Sequence, residues 1–260
     1  MNILNNFSLK GKVALVTGGA GMYGRCIVSA LAEAGAVTYL ASRNVDNCEK
    51  FAEKLTAKGY DVRAGKLDLA KEKTIKDIYE KIINELGQID ILVNNAVAMP
   101  MKSYNDPIEK FRLSMEINAT AVFLITRIFS QNMIERKKGS IINISSYKGL
   151  LGPDFDLYED TDMDTPPDYF FHKGGLNQLT RYFGSLLGKH NIRVNSICPG
   201  GLEPDKPLPE KFVNRYNKKT FLNRMANDED IKGTIVFLAS DASQYITGTT
   251  IPLDGGYIAK

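Results

Sequence analysis

A short apolar run that ends in a glycine-rich turn constrains this chain more than any other feature. Residues 13–16 (VALV) have the length and composition of a buried parallel strand, and a helical pattern follows over residues 26–34. Between them, Gly19, Gly21 and Gly24 match G-x-G-x-x-G. Glycine lets the backbone approach a pyrophosphate, and a helix N-terminus offers free N–H groups. This context predicts a dinucleotide-binding loop, with a tight turn between buried elements as the alternative.

The rest of the chain repeats the alternation of strand and helix. Further strands are predicted at residues 36–41, 61–69, 89–93, 140–144, 192–198 and 249–253, and helices at 46–58, 71–87, 111–134, 169–188 and 229–238. Repeated β–α units predict a single α/β domain over residues 1–260, with a Rossmann-type doubly wound parallel sheet and helices on both faces. The polar, proline-containing stretch 202–220 is predicted as a connection.

Composition and charge exclude several classes of protein. A net charge of +3, dispersed along the chain, does not indicate nucleic-acid or membrane-surface binding. No apolar run approaches the length of a bilayer span, and the first twelve residues contain no signal peptide. Three distant cysteines form neither a disulfide framework nor a metal-ligand pattern, so no metal site is predicted. We expect a cytoplasmic protein that acts on a small, polar molecule.

Polar residues at the predicted strand ends are the candidate ligand contacts, because ligands bind at the carboxyl edge of such sheets. These residues are Ser42, Arg43, Asp68, Asn94, Ser146, Pro199 and Gly200. An acidic residue at the end of the second strand would bind both ribose hydroxyls of NAD, which Ser42 cannot do. Arg43 could instead pair with a 2′-phosphate, so NADP is predicted to be preferred to NAD. The alternative for Arg43 is an exposed side chain without a ligand.

Tyr169 and Lys173 form a second candidate pair. Their i, i+4 spacing puts both side chains on one face of the predicted helix. A nearby ammonium favours phenolate, so we expect Lys173 to lower the pKa of Tyr169. A tyrosine tuned in this way can exchange a proton with an alcohol while a nicotinamide takes the hydride.

Several motifs in one order resemble those of the short-chain dehydrogenase/reductase family, from about Leu9 to Tyr257. They are Thr17-Gly18 to Gly24, Asp68, Asn94-Asn95-Ala96, Asn118, Ser146, Tyr169 with Lys173, Pro199-Gly200 and Asp254-Gly255-Gly256. The resemblance implies a catalytic set of Asn118, Ser146, Tyr169 and Lys173. In that set Ser146 binds the substrate oxygen, Tyr169 is the acid/base, Lys173 binds the nicotinamide ribose and Asn118 anchors a water.

The glycine loop and the resemblance together give the predicted cofactor contacts. They are Thr17, Gly18, Gly19, Gly21, Met22, Tyr23, Gly24, Ser42, Arg43, Asp68, Leu69, Asn94, Ala96, Tyr169, Lys173, Pro199 and Gly200. The resemblance also implies a homotetramer, with a homodimer as the alternative.

The sequence departs from the usual family pattern at several positions. Met22 stands where a glycine is usual, as in the branch that acts on nucleotide sugars, and Val97 replaces another glycine. Ser146 and Tyr169 are 23 positions apart, about ten more than usual, because of an insertion at about 152–168. Large residues separate Tyr169 from Lys173; one of them, His172, is given no catalytic role. The insertion resembles flagellin-modification oxidoreductases of the PtmA type and, more distantly, gluconate 5-dehydrogenases.

Three functions remain open at this point. The first is an NAD(P)-dependent alcohol/ketone oxidoreductase, the second a nucleotide-sugar epimerase or dehydratase, and the third a non-catalytic nucleotide-binding protein. Residues 154–168 include seven acidic and no basic residues, whereas the predicted substrate lid, 202–220, includes Lys211, Arg215, Lys218 and Lys219. Carboxylates accept hydrogen bonds from hydroxyls, and a basic lid suits an anion. Together they predict a sugar phosphate, nucleotide sugar or sugar acid as substrate.

Overall fold

Seven parallel strands form one sheet in the computed structural model, which describes residues 2–259. The strands are β1 (Val13–Thr17), β2 (Val37–Ser42), β3 (Val62–Lys66), β4 (Ile91–Asn94), β5 (Gly139–Ile144), β6 (Ile192–Pro199) and β7 (Thr250–Leu253). Their order across the sheet is β3-β2-β1-β4-β5-β6-β7. The predicted doubly wound parallel sheet is confirmed, and each predicted strand is present within a few residues of its expected bounds.

Within residues 2–259, eight α-helices connect and cover the strands. They are α1 (Met22–Glu33), α2 (Val45–Thr56), α3 (Glu72–Leu86), α4 (Ile108–Met115), α5 (Ala121–Arg136), α6 (Pro167–Gly188), α7 (Glu210–Lys219) and α8 (Lys232–Ala239). The single helix expected over residues 111–134 is wrong in one respect: a π-helical turn, Glu116–Thr120, separates α4 from α5. Helix α7 was not predicted, although Phe212, Val213 and Tyr216 recur at helical spacing in its otherwise polar sequence.

The core consists of two apolar layers, one on each face of the sheet. The first contains the buried side of α1, with Ile27 and Leu31, together with α8. The second contains Ile75, Ile78 and Ile82 of α3, which share one helix face, and the inner sides of α5 and α6. Helices on both faces are therefore confirmed, and the central strands β1 and β4 are buried along their whole length.

The segment from Ile108 to Arg136 is long and apolar enough to cross a membrane by length and composition, contrary to the sequence expectation. In the fold it is a core element instead. Ile125, Phe129 and Met133 of α5 are fully buried in the layer that covers the sheet. A helix of a soluble core meets the same criteria of length and hydropathy.

Residues 154–168, which we call the acidic segment, lie against α7. Leu157, Phe212 and Tyr216 are buried in a small cluster that also contains Tyr147 and Tyr257.

Ion pairs surround this cluster. They join Lys211 and Arg215 to Asp160, and Lys219 to Asp154. The two segments therefore form one unit, with an apolar centre and a charged rim.

We expect the apolar centre to contribute more to the docking of the acidic segment than the ion pairs do. Leu157→Ala should cost about 2–5 kcal/mol, as buried leucine truncations do, whereas Lys211→Ala should cost about 0.2–1 kcal/mol because its pair is exposed. Limited proteolysis of the acidic segment measures the difference. Faster cleavage of Lys211→Ala than of Leu157→Ala would contradict this account.

Candidate active site

A cavity of about 550 Å³ opens at the carboxyl edge of the sheet, beside the neighbouring strands β1 and β4. Successive connections leave the sheet in opposite directions at this point, and the crevice between them is the usual ligand site of the fold. Most of the predicted residues line it: Gly18, Gly21, Met22, Tyr23, Gly24, Ser42, Arg43, Asp68, Leu69, Ala96, Ser146, Tyr169, Lys173, Pro199 and Gly200.

The glycine loop has the geometry of a phosphate cradle. Gly18 adopts a φ of +65°, which favours glycine. A Cβ atom on Gly24 would lie 2.2 Å from the carbonyl oxygen of Gly18, so only glycine allows this close approach. Helix α1 begins directly afterwards, and its N-cap, Gly21, provides no side-chain hydrogen bond to the first turn. The free N–H groups of that turn fit an anion such as a pyrophosphate.

Three predicted cofactor contacts lie behind the cavity wall instead of lining it. The Thr17 hydroxyl donates to the carbonyl of Val93 at 3.3 Å and accepts the N–H groups of the residues that follow β4. A Cβ on Gly19 would lie 2.5 Å from that of Leu40, so this glycine allows packing between α1 and β2. The Asn94 amide donates to Thr126 and Asn143 inside the core.

Asn94 therefore lies outside the cavity lining, and its role as a cofactor contact stays a prediction. Side chains alternate between faces near a strand end, and Asn95 is the one that lines the cavity. Its amide donates to the carbonyls of Thr17 and Gly18, at 2.9 and 3.1 Å. Asn47 of α2 was also missed; its place near Ser42 and Arg43 depends on the turn that begins α2.

Ser146, Tyr169 and Lys173 share one wall of the cavity despite the long insertion between the first two. The Lys173 ammonium donates to the carbonyl oxygen of Ile144 at 2.7 Å and lies 5.5 Å from the centre of the Tyr169 ring. The backbone of Lys173 is held as well, because the Ser145 hydroxyl donates to its carbonyl at 2.9 Å. The end of β5 thus positions α6 at the site.

The pKa of Tyr169 departs from the sequence expectation. Burial raises it, and the neighbouring Ser146 hydroxyl lowers it, with a net upward direction. Burial therefore outweighs the lowering of the Tyr169 pKa that we expected from Lys173. Burial also lowers the pKa of Lys173 to about 8, which weakens its positive charge above neutral pH.

Asn118 lies in the π-helical turn between α4 and α5 and is buried. Its side chain accepts the N–H of Ala98 at 2.9 Å, and donates to the carbonyl of the same residue at 2.7 Å and to the Ser114 hydroxyl at 3.0 Å. It therefore fastens the loop after β4, whose residues 95–99 line the cavity, but it does not itself belong to the lining.

Three of the basic residues expected to bind the substrate form ion pairs with the acidic segment instead. Lys211 contacts Asp160 at 3.2 Å, Arg215 reaches both Asp160 and the backbone carbonyl of Glu159, and Lys219 pairs with Asp154. The part of 202–220 that lines the cavity is Leu202. The inference of an anionic substrate from a basic lid is therefore not supported, since the acidic segment neutralises three of those cations.

The buried ammonium of Lys173 predicts a pH-dependent contribution to stability. Its pKa is about 8 in the fold and about 10.4 in the unfolded chain. Between these values the unfolded chain binds more protons, so the free energy of unfolding rises with pH. Relative to Lys173→Met, the wild-type protein should gain about 2 kcal/mol between pH 8 and pH 10. Urea unfolding at both pH values measures this; a constant difference would contradict it.

Comparison with known proteins places this architecture in a family. Residues 21–258 match the family described as enoyl-(acyl carrier protein) reductase. The chain is 32% identical to 5-keto-D-gluconate 5-reductase of Escherichia coli K12, over 97% of each chain. It is also 32% identical to a 3-oxoacyl-(acyl-carrier-protein) reductase of Thermotoga maritima, over 96% of this chain and 99% of that one.

A solved structure agrees with these matches. A gluconate 5-dehydrogenase of Burkholderia cenocepacia J2315, in complex with NADP and tartrate, superimposes with a TM-score of 0.87 at 27% identity, covering 99% of each chain. The chain is thus an oxidoreductase that acts on CH–OH groups. It belongs to the short-chain dehydrogenase/reductase family.

Proposed function

We propose that this enzyme interconverts a secondary alcohol and a ketone on a sugar-acid substrate, with a nicotinamide cofactor. The observation that carries the proposal is that Ser146, Tyr169 and Lys173 line the same cavity as the glycine loop. A dinucleotide whose pyrophosphate rests at the start of α1 would extend along this cavity toward Tyr169. When bound, its nicotinamide ring supplies or accepts the hydride.

Each of the three residues has a distinct proposed role. Ser146 donates a hydrogen bond to the substrate oxygen, and Tyr169 exchanges a proton with that oxygen as general acid/base. Lys173, fixed by the carbonyl of Ile144, binds the nicotinamide ribose and favours the phenolate of Tyr169. Asn118 retains the proposed role of anchoring a water for proton relay, next to the loop that it holds.

The substrate class rests on the relatives, because Lys211, Arg215 and Lys219 of the lid are already paired. One relative is named for a reaction of 5-keto-D-gluconate, and one solved structure is a gluconate 5-dehydrogenase that holds tartrate. Both molecules are carboxylic acids with several hydroxyls. We infer a keto or hydroxy acid of this kind. The 3-oxoacyl-(acyl-carrier-protein) reductase, equally identical in sequence, makes a β-ketoacyl thioester the second candidate.

Substrates of flagellin modification and nucleotide sugars are narrower candidates, which the sequence resemblance alone suggests. The cavity has a volume of about 550 Å³, and the substrate screen below compares a nucleotide sugar with the sugar-derived acids. We propose a cytoplasmic enzyme, in keeping with three buried free cysteines. We also propose a homotetramer, or a homodimer, because exposed apolar residues cluster on α5 and α6, including Phe123, Phe171 and Tyr182.

A substrate screen tests the proposed reaction. Oxidation of NADPH and NADH is followed with 5-keto-D-gluconate, other keto acids derived from sugars, a nucleotide sugar and a β-ketoacyl thioester. The sugar-derived keto acids should give the highest kcat/KM. A preference for the β-ketoacyl thioester would establish the second candidate instead, and conversion of the nucleotide sugar without net cofactor turnover would indicate an epimerase.

Removing the Tyr169 hydroxyl should abolish most of the turnover while leaving the cofactor bound. We expect Tyr169→Phe to lower kcat by roughly 10²–10⁴, the contribution of a general acid/base, with little change in the Kd of NADPH. Tyr245→Phe, at a fully exposed tyrosine outside the cavity lining, is the matched control. Turnover of Tyr169→Phe within a factor of a few of wild type would refute the role of Tyr169.

The choice of cofactor should depend on Arg43, which lines the cavity at the end of β2 beside Ser42. We propose that its guanidinium pairs with the 2′-phosphate of NADP. Arg43→Ala should weaken NADPH binding about ten- to a hundred-fold, as expected for one charge-assisted contact, and leave NADH binding unchanged. Titration of cofactor fluorescence measures both. Equal affinities of the wild-type enzyme for NADPH and NADH would contradict the assignment.

A further inference from the structure

Lys148 is a charged residue that has no part in the reaction proposed above. It lies next to the cavity wall formed by Ser146, Tyr169 and Lys173. It lies two positions after Ser146, in the short 3-10 turn Tyr147–Gly149 that follows β5. Its backbone N–H donates to the Ser146 hydroxyl at 3.2 Å. Its backbone is therefore fixed relative to a proposed catalytic residue, and its half-buried side chain extends from that point.

The ammonium of Lys148 connects this turn to the acidic segment. It donates to the Tyr158 hydroxyl at 2.6 Å and to the Thr165 hydroxyl at 2.8 Å. Although that segment is rich in carboxylates, Lys148 forms no ion pair with a carboxylate of residues 2–259. Two neutral hydroxyls stabilise the cation without cancelling its charge, so its positive potential extends to its other neighbours.

Those neighbours are aromatic rings, and one of them belongs to Tyr169. The ammonium lies 5.1 Å from the centre of the Tyr158 ring, 5.4 Å from that of Phe170 and 5.9 Å from that of Tyr169. These are cation–π distances. Lys173 approaches the Tyr169 ring at 5.5 Å. Two lysines from different elements thus lie at nearly equal distances from the same phenol ring.

We propose that Lys148 is a positioning residue for the reaction, which holds the acidic segment against Tyr169 and adds a second positive charge beside its ring. The proposal rests on the acid/base role proposed for Tyr169 and extends it. It also assigns a role to the long insertion between Ser146 and Tyr169. Tyr158 and Thr165, which belong to the insertion, hold the ammonium of Lys148 in place.

Most groups around Tyr169 oppose its ionisation, so a nearby positive charge would favour the phenolate. Burial raises the pKa of Tyr169, and Cys198 of β6 and Tyr158 raise it further, against the lowering by Ser146. Tyr23 of α1 and Tyr147, beside Lys148, also interact electrostatically with the same phenol. His172 supplies no charge near neutral pH, because burial lowers its pKa to about 3. Among residues 2–259, Lys148 and Lys173 are the cations that contact the ring.

The test is the pH dependence of kcat/KM in Lys148→Met, with Lys148→Arg and Thr165→Val as matched variants. Lys148→Met removes the charge, Lys148→Arg keeps it, and Thr165→Val keeps the charge but loses one hydrogen bond. We expect Lys148→Met to move the limb of the pH profile assigned to Tyr169 upward by on the order of one pH unit, from Coulomb's law at this distance. Lys148→Arg and Thr165→Val should leave that limb near its wild-type position.

A structural role alone would produce a different result. If Lys148→Met lowers kcat or Tm but leaves the limb in place, or if Thr165→Val shifts it equally, the proposal is overturned. Should Lys148→Met fail to fold, Lys148→Gln replaces it with the same expected shift. Carbon-13 NMR of labelled tyrosine, with the Tyr169 signal assigned from Tyr169→Phe, reads the same ionisation without any substrate. Failure of the proposed reaction is therefore distinguishable from failure of the Lys148 assignment.

Discussion

The parallel pairing of β1 with β4 is the constraint on which the rest of the structure depends. Ala14, Leu15 and Val16 pair with Ile91, Leu92 and Val93, so the two strands end at the same edge of the sheet. The glycine loop leaves one of them and the Asn95 loop leaves the other. The connections on either side diverge, and the cavity is the space that this divergence leaves open. The proposed catalytic residues lie after β5 and on α6, because β5 continues the parallel order and α6 connects it to β6.

The sequence predicted the parts of this arrangement that depend on local pattern. Apolar runs of strand length predicted the sheet, and the glycine spacing predicted the loop whose close approach at Gly24 the structure contains. Patterns that depend on a neighbouring element were less visible. Asn94 and Asn95 are identical in type, and only the end of β4 determines which of them points into the cavity. Helix α7 was missed although Phe212 and Tyr216 are four positions apart, because polar residues surround them and their burial depends on partners from distant parts of the chain.

The fold agreed with the sequence predictions more closely than the electrostatics of the site did. Charges that are separated along the chain, in the acidic segment and in α7, neutralise one another, so their sign indicates nothing about the substrate. The pKa of Tyr169 also depends on burial, which a sequence does not reveal. Lys173 was recognised from its spacing, whereas Lys148 was not, because its relation to Tyr169 depends on how the insertion folds back. The effective charge at the proposed acid/base is thus a property of the tertiary structure.

The central claim is that a hydride and the proton of Tyr169 move at one carbon–oxygen bond in this cavity. The most direct measurement uses NADPH that is deuterated at the transferable position and a keto acid derived from a sugar, with mass spectrometry of the product. The account predicts one deuterium on the new carbinol carbon in the wild-type enzyme and almost no product with Tyr169→Phe. Product that lacks deuterium, or equal product from Tyr169→Phe, would contradict it.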